Sequence, residues 1–412
     1  MRLKHCAVRS GQMTEKKDPT QTDRPYPSRE GRLPRHRDEI TPETLTGLLR
    51  LRYPEIEVKG FDVVDIVDSH TTKLRLALDL NAAGRELGIP VNVCLKSNLT
   101  DGVSTGDICE VEARFYHLLG NALDAPTPKV YYADWDGDGR GRGVVVMEDL
   151  AMAPGAFGHS LDELGVDGVA AGLESLARLH ASLWDSPHLA DRGLPRSMEA
   201  PRDRDLLLLM FNYIEINLGR AEYREFLPEW IYEDPERLAR AYDELAALEL
   251  EEPGPICVVH GDSHQGNSFL REDGERLWLD WQMARKGHPW RDVCYFAIGS
   301  LTVEERRKSG RELVEHYRQV LSASGGTGWG KSDDAWEQFA RWPVYGMQAW
   351  LGNVDVWGQS SHEMVRRFFA AAEDLETIER LTEGRSPRRP VKLREKAAPI
   401  PEELKRRFWS EK

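Results

Sequence analysis

One stretch constrains this chain more than any other. Val258-Val259 enters the polar loop His260-Gly261-Asp262-Ser263-His264-Gln265-Gly266-Asn267, and a second apolar run, Leu277-Trp278-Leu279, ends in Asp280, followed by Trp281-Gln282. Short apolar runs bounded by turn formers read as buried strands. The two runs therefore make a hairpin that gathers polar side chains at one end. Asn267 and Asp280 can offer oxygen atoms from its two sides, the donor type that the hard magnesium ion takes. A plain polar turn between two strands is the simpler reading of the same residues. Zinc is a rival, because His260 and His264 stand four apart. Yet no HExxH and no CxxC accompanies them.

The bulk composition narrows the classes. With 412 residues the chain has room for two to three domains by length. A net charge of -14 argues against sequence-independent nucleic-acid binding. The five cysteines, Cys6, Cys94, Cys109, Cys257 and Cys294, are odd in number and form no CxxC pair. That pattern fits free thiols in a reducing, cytoplasmic setting. No apolar run approaches the roughly eighteen residues of a membrane span, and the N-terminus lacks the apolar core of a signal peptide.

Residues 1–39 are rich in charge, Pro, Ser and Thr, and are expected to be disordered, since they bury too little to offset ordering entropy. Thr41-Pro42-Glu43-Thr44 reads as a helix start with Thr41 as N-cap. From Phe61 the period becomes that of strands: Val63–Val67, Leu74–Leu80 and Val91–Lys96. Lys96 ends an apolar run, where a lysine needs a partner. Between the first two strands, Asp68-Ser69-His70-Thr71-Thr72-Lys73 forms a polar loop. Residues 106–119 read as a helix with Val111, Phe115, Leu118 and Leu119 on one face. Val130–Ala133 and Val144–Met147 pair as a hairpin. Its turn begins like an EF-hand loop, with Asp134, Asp136 and Asp138, but Val145 stands where the bidentate Glu is needed. Residues 161–184, 205–218 and 235–250 read as helices. His180, on the apolar stripe of the first, reads as a satisfied core histidine. Residues 304–321 and 333–369 complete a helical part rich in aromatics: Trp336, Trp342, Tyr345, Trp350 and Trp357. These are either core or the wall of a pocket for a bulky alcohol. Past residue 384 the chain becomes a basic, Pro-rich tail.

The spacing His260-x-Asp262-x-x-x-x-Asn267, with Asp280 beyond it, resembles the catalytic loop and metal-binding aspartate of protein kinases. Gly261 replaces the arginine, and Trp281-Gln282 replaces Phe-Gly. In this the chain looks like the aminoglycoside phosphotransferase and choline kinase-like superfamily. Asp280-Trp281-Gln282 and Arg291-Asp292-Val293-Cys294-Tyr295-Phe296 most resemble its ecdysteroid-kinase-like branch. The resemblance implies an α+β, protein-kinase-like bilobal fold. Its small lobe, residues 40–149, holds an antiparallel sheet plus one helix, and a mainly helical lobe spans residues 150–384. It implies transfer of the ATP γ-phosphate to a hydroxyl of a small-molecule alcohol acceptor. In those terms Asp262 is the catalytic base, and Asn267 and Asp280 hold magnesium (Mg2+). Lys96 binds nucleotide phosphates, steadied by Glu112 or, one helix phase away, Glu110. Ser69 and Thr71 cover the phosphates, and Glu148 and Leu150 bond adenine through their backbone. Asp292 caps its helix or steadies the catalytic loop. A nucleotide-binding pseudokinase without turnover is the alternative. A protein kinase is a weaker one, because no long activation segment and no Ala-Pro-Glu motif follows Asp280.

Overall fold

The computed structural model describes residues 32–68, 71–99, 107–120, 123, 126–137, 140–189, 194–198, 213–328, 331–352 and 359–385. Its N-terminal lobe is built on a five-stranded antiparallel sheet in the order β1-β2-β3-β5-β4. The strands are β1 (Val58–Asp68), β2 (Thr72–Leu80), β3 (Asn92–Ser97), β4 (Val130–Trp135) and β5 (Gly143–Glu148). Helix α1 (Pro42–Arg50) precedes the sheet, the short α2 (Ala82–Glu86) follows β2, and α3 (Ile108–Leu118) lies between β3 and β4. The predicted cap is present: the Thr41 side chain accepts from the Thr44 N–H, with Pro42 in the first turn.

Strict alternation in β2 decides what each face of this sheet does. Leu74, Leu76, Leu78 and Leu80 are buried in a core shared with Val93 and Leu95 of β3 and with Leu45, Leu48 and Leu49 of α1. The intervening Lys73, Arg75 and Ala77 turn to the opposite face. That core also holds Leu33, which is 1% exposed, and the Leu33 N–H donates to Asp136 Oδ1 at 2.8 Å. Arg37 pairs with Asp68. The expectation of disorder up to residue 39 therefore fails from Arg32 onward: one leucine in an otherwise polar segment reaches a hydrophobic slot under the sheet. Residues 1–31 lie outside the described residues, as do Asp138 of the EF-hand-like turn and residues 386–412. Asp134 and Asp136 serve the turn itself, accepting from Tyr132 and from Leu33.

The second lobe is helical, as expected of an α+β two-lobed chain. After a short strand β6 (Gly155–Phe157) come α4 (Gly165–Ser182) and α5 (Glu236–Glu251). The chain then enters β7 (Cys257–Val259), β8 (Ser268–Arg271), β9 (Arg276–Trp278) and β10 (Arg285–Gly287). The helices α6 (Trp290–Ser300), α7 (Val303–Ala323), α8 (Ser332–Arg341), α9 (Pro343–Leu351) and α10 (Gln359–Asp374) follow. Residues 213–218 are helical, and the rest of the helix expected from 205 lies outside the described residues. β7 pairs with β10, while β8 pairs with β6 and β9. The polar loop of residues 260–267 thus leaves one small sheet and enters another, rather than closing a simple hairpin. Helix α6, whose residues are all buried, runs through the middle of the large core and backs this loop. Among the described residues no helix is long and apolar enough to cross a membrane.

Candidate functional site

Lys96 leaves β3 on the face away from the leucine core and is 4% exposed. Its Nζ lies 2.7 Å from Glu112 Oε2 of α3 and also bonds Asp280 Oδ1. Of the two glutamates the sequence left open, α3 turns Glu112 inward. Glu110 faces the other way and pairs with Arg114, one turn on. Burial alone would push the Lys96 pKa down, but Asp280 and Glu112 outweigh it and hold the ammonium above its ordinary value. Burial likewise opposes the Asp280 charge, and Lys96 overcomes it, so Asp280 stays ionised below the usual carboxylate range. Glu112 carries the burial cost and its pKa is raised. The lysine expected to serve nucleotide phosphates is thus tied to two carboxylates, one of them the residue expected at the metal.

Trp281 locks this arrangement. Its backbone N–H donates to Glu112 Oε1 at 3.2 Å, and its indole N–H donates to Trp278 O at 2.9 Å. The ring is fully buried and stacks on Phe115 of α3, with centroids 3.8 Å apart and planes 7° off parallel. Such a pair adds about 0.5–1.5 kcal/mol beyond its area burial. The tryptophan where protein kinases carry phenylalanine therefore fastens α3, and Glu112 with it, to the Asp280 turn. Asp280 itself sits in the left-handed region, φ 63° and ψ 59°, which aims its carboxylate back toward β3.

Asp262 lies on the loop that His260 ties to Leu279, the residue before Asp280. Asn267 Nδ2 donates both to the Asp262 main-chain oxygen, at 2.9 Å, and to its Oδ2, at 3.0 Å. With its amino group so engaged, Asn267 keeps its Oδ1 without a partner among the described residues. Tyr295 faces the same carboxylate; burial first, and then the Asp262 charge, push its phenol well up. The ring of His264 lies between Asp262 and Trp350, with Nε2 3.8 Å from Asp262 Oδ2 and centroids 5.5 Å apart.

The loop is held from behind by a fully buried carboxylate. Asp292 accepts from the His260 N–H at 2.6 Å, the Gly261 N–H at 2.8 Å and His180 Nε2 at 3.1 Å. Burial would raise its pKa, but the His180 hydrogen bond and the other donors bring it below the ordinary value. His180 in turn bonds Tyr317 at 2.8 Å, so it is the satisfied core histidine that its stripe implied. His260 uses both ring nitrogens inside the loop: Nδ1 accepts from the Asp262 N–H, and Nε2 faces Leu279 O at 2.7 Å. That network assigns the neutral Nε2–H tautomer, in keeping with a pKa lowered by burial. With both nitrogens occupied, His260 has no lone pair for zinc, and the zinc reading falls. Gly261 is required by its backbone. Its φ is +83°, and a Cβ there would stand 2.0 Å from the Met283 carbonyl oxygen. The carbonyl of Gly261 is clamped by Arg291 Nε at 3.1 Å and by the Tyr345 hydroxyl at 2.9 Å.

The remaining expected residues spread around this centre. Thr71 is buried just before β2, and Ser69 lies outside the described residues. The Glu148 carboxylate is engaged by the Lys129 N–H at 2.8 Å and by Arg271 at 2.9 Å. Leu150 packs with Phe269 and Leu277 in a small separate cluster. Between them, Asp149 receives Arg75 of β2 at 3.0 Å. The aromatic segment divides: Trp342 and Trp350 are core, Tyr345 braces the loop, and Trp336 stacks on Phe339 at the margin. Trp357 lies outside the described residues. Sequence reading passed over Lys73, directly across the ladder from Lys96, and the clamp by Arg291 and Tyr345. The polar–apolar alternation of β2 was the available signal for the first. Nothing local signals the second.

Among curated proteins none matches the chain. Several solved structures are similar to it at low identity. A choline/ethanolamine kinase family protein from Mesorhizobium loti aligns over 78% of this chain and 90% of its own, at 14% identity and a TM-score of 0.44. The spectinomycin phosphotransferase APH(9)-Ia, in complex with ADP and spectinomycin, aligns over 82% and 98%, at 13% identity and a TM-score of 0.46. The macrolide 2'-phosphotransferase MphH from Brachybacterium faecium aligns over 84% and 99%, at 17% identity and a TM-score of 0.41. The phosphotransferase enzyme family, APH, matches residues 107–335, a span that runs from the helix bearing Glu112 through the Asp262 loop and Asp280. That is more than half of the chain, and the chain belongs to this family.

Proposed function

We propose that this protein is a small-molecule kinase that transfers the γ-phosphate of ATP to an alcohol, with Asp262 as the catalytic base. The observation that carries the proposal is the bonding that ties two sets of groups together: His260 takes the Asp262 N–H and meets Leu279 O, next to Asp280, and the Leu279 N–H donates to Asn267 O. Lys96, Glu112 and Asp280 form one set, Asp262 and Asn267 the other. A phosphoryl-transfer site needs positioning and charge neutralisation more than covalent chemistry. Asp262 sits at the acceptor side, held by Asn267 but still about a quarter exposed, so a hydroxyl can reach it. There it takes the hydroxyl proton as the new O–P bond forms and the bond from the γ-phosphorus to the β,γ-bridging oxygen breaks, releasing ADP. Lys96 neutralises phosphate oxygens and Glu112 sets its position.

The donor set fits magnesium. Asn267 Oδ1 is left free by its amino group's two bonds, and Asp280 is an ionised carboxylate with one oxygen on Lys96. An ion that keeps several waters and phosphate oxygens needs only one or two protein oxygens of this kind. When bound it supplies neutralisation of phosphate charge. We place adenine against Glu148 and Leu150, and Ser69 and Thr71 over the phosphates. We place the acceptor beside Asp262 and His264, with the buried rings of Tyr295 and Trp350 packed behind His264. The Asp280-Trp281-Gln282 and Arg291–Phe296 motifs support the ecdysteroid-kinase-like branch and a bulky, partly apolar alcohol. Buried unpaired thiols at Cys109, Cys257 and Cys294 support a reducing, cytoplasmic setting.

The test is to incubate purified protein with ATP, magnesium and a panel of alcohols, following ADP release and product mass. At least one alcohol should gain a phosphate. Asp262→Ala should lose about 10²-fold or more of that rate, with circular dichroism and ATP affinity retained. A folded Asp262→Ala that keeps the wild-type rate removes Asp262 from the base role. ATP binding without turnover on any alcohol favours the pseudokinase alternative.

A further inference from the structure

We propose that Lys73 is a second phosphate-binding cation of this site, resting on the nucleotide-binding reading above. The argument starts from strand register. Lys73 of β2 is the direct cross-strand partner of Lys96 of β3. Opposed residues of an antiparallel pair have Cα atoms about 4.5–5.5 Å apart and side chains on the same face. That face is fixed independently: the flanking Thr72 and Leu74 are buried on the other side, while Arg75, two residues along from Lys73, reaches Asp149 after β5. The row Arg75, Lys73 therefore runs along that face, from the Glu148–Leu150 segment toward Asp280.

Two like charges placed directly opposite each other destabilise a sheet. Nothing in the packing of β2 demands a lysine at a half-buried position whose neighbours on the strand are apolar or already paired. Among the described residues the Lys73 side chain makes no hydrogen bond and no ion pair, its backbone serving the ladders to β1 and β3. Yet its charge is felt at the site, for it is one of the charges that help keep Asp280 ionised.

The charge balance gives this cation a task. Lys96, the phosphate-binding lysine of the proposed function, is held by both Glu112 and Asp280. The three together carry one net negative charge, and Asp262 adds another nearby. A nucleoside triphosphate entering the site meets in Lys96 a cation already shared with two carboxylates. Lys73 beside it has no side-chain partner among the described residues, and its stem is long enough to lean from β2 toward the phosphates. The polar segment that ends in Lys73 then contributes to phosphate binding through its last residue.

The experiment compares binding of ATP, ADP, AMP and adenosine by full-length wild type, Lys73→Met, Lys73→Gln and Lys73→Arg, by titration calorimetry with magnesium present. If Lys73 binds phosphate, both neutral variants should weaken ATP about tenfold or more, the loss of one charge-assisted hydrogen bond. The loss should shrink through ADP and AMP and vanish for adenosine. Lys73→Arg should restore most of the ATP affinity. Unchanged ATP binding in both neutral variants overturns the proposal and leaves the kinase reading standing. Parallel weakening of ATP and adenosine, with a lower melting temperature, makes Lys73 a structural residue and also overturns it. A wild-type protein that binds none of the four nucleotides overturns this proposal and the kinase reading together.

Discussion

Replacing Asp292 with asparagine should separate the loop's support from its chemistry. The wild-type carboxylate is fully buried and accepts from two backbone N–H groups of the 260–267 loop and from His180. An asparagine offers one acceptor oxygen where the carboxylate offers two, and its amino group faces a donor in place of an acceptor. At least one charge-assisted hydrogen bond is lost, about 1.5–3 kcal/mol. At about 2.1 cal/mol/K per residue, the unfolding entropy of 412 residues is about 0.9 kcal/mol/K, so a loss of about 2 kcal/mol lowers the melting temperature by about 2 °C. Asp292→Ala leaves all three donors unpaired and should cost about 3–5 kcal/mol. The pH dependence has a definite sign. The Asp292 pKa is depressed in the folded protein. Its contribution is therefore complete above the unfolded value near 4, and fades as pH falls through the folded value. Melting curves of wild type and Asp292→Asn should differ fully at pH 7 and converge below about pH 4. In a phosphotransfer assay at pH 7 the variant should lose kcat with little change in the KM for ATP, because the disturbed residues carry Asp262 and not Lys96. If Asp292→Asn melts within about 1 °C of wild type at pH 7 and keeps its kcat, the carboxylate is not what holds the loop.

Trp281→Ala empties a fully buried site under α3 and should cost about 3–5 kcal/mol; denaturant melts check this, and a mild loss would mean that the Phe115 stack does not fasten α3 to the Asp280 turn. Glu112→Gln should raise the KM for ATP several-fold while Glu110→Gln leaves it unchanged, since only Glu112 touches Lys96; equal effects of the two would contradict the register of α3. Deleting residues 1–37 removes the burial of Leu33 and the Arg37–Asp68 pair. It should lower stability by about 2–3 kcal/mol, and Leu33→Ala alone should reproduce most of that loss in a thermal melt.

Local pattern was enough for several features, because each depends on residues adjacent in the chain. The Thr41 cap, the leucine alternation of β2 and the run leading into the Asp262 loop are of this kind. So is Gly261, whose positive φ excludes a side chain. The grouping of Lys96, Glu112, Asp262, Asn267 and Asp280 was legible through a spacing that carries its meaning only by resemblance to kinases. Helix phase left Glu110 and Glu112 open, since one residue turns a helix by 100° and only packing against β3 and the Asp280 turn selects the inward glutamate. Leu33 looked like part of a disordered segment, because composition averages over a window and a single leucine can still find a slot between α1 and the sheet. Lys96 was expected to serve phosphates and Asp280 to serve a metal. Their direct contact joins residues 184 apart in sequence, a separation no window reaches. The aromatic segment reads alike as core and as pocket wall in sequence, since either use buries a large ring. Only the tertiary structure sends Trp342 inward, gives the Tyr345 hydroxyl to the Gly261 carbonyl and sets Trp350 beside His264. The sequence by itself thus named the side chains proposed for the site, because side-chain chemistry is carried residue by residue. Which groups meet, which stay charged and which cation is left uncommitted were decided by strand register and helix packing, for those depend on distances between parts of the chain that only folding brings together.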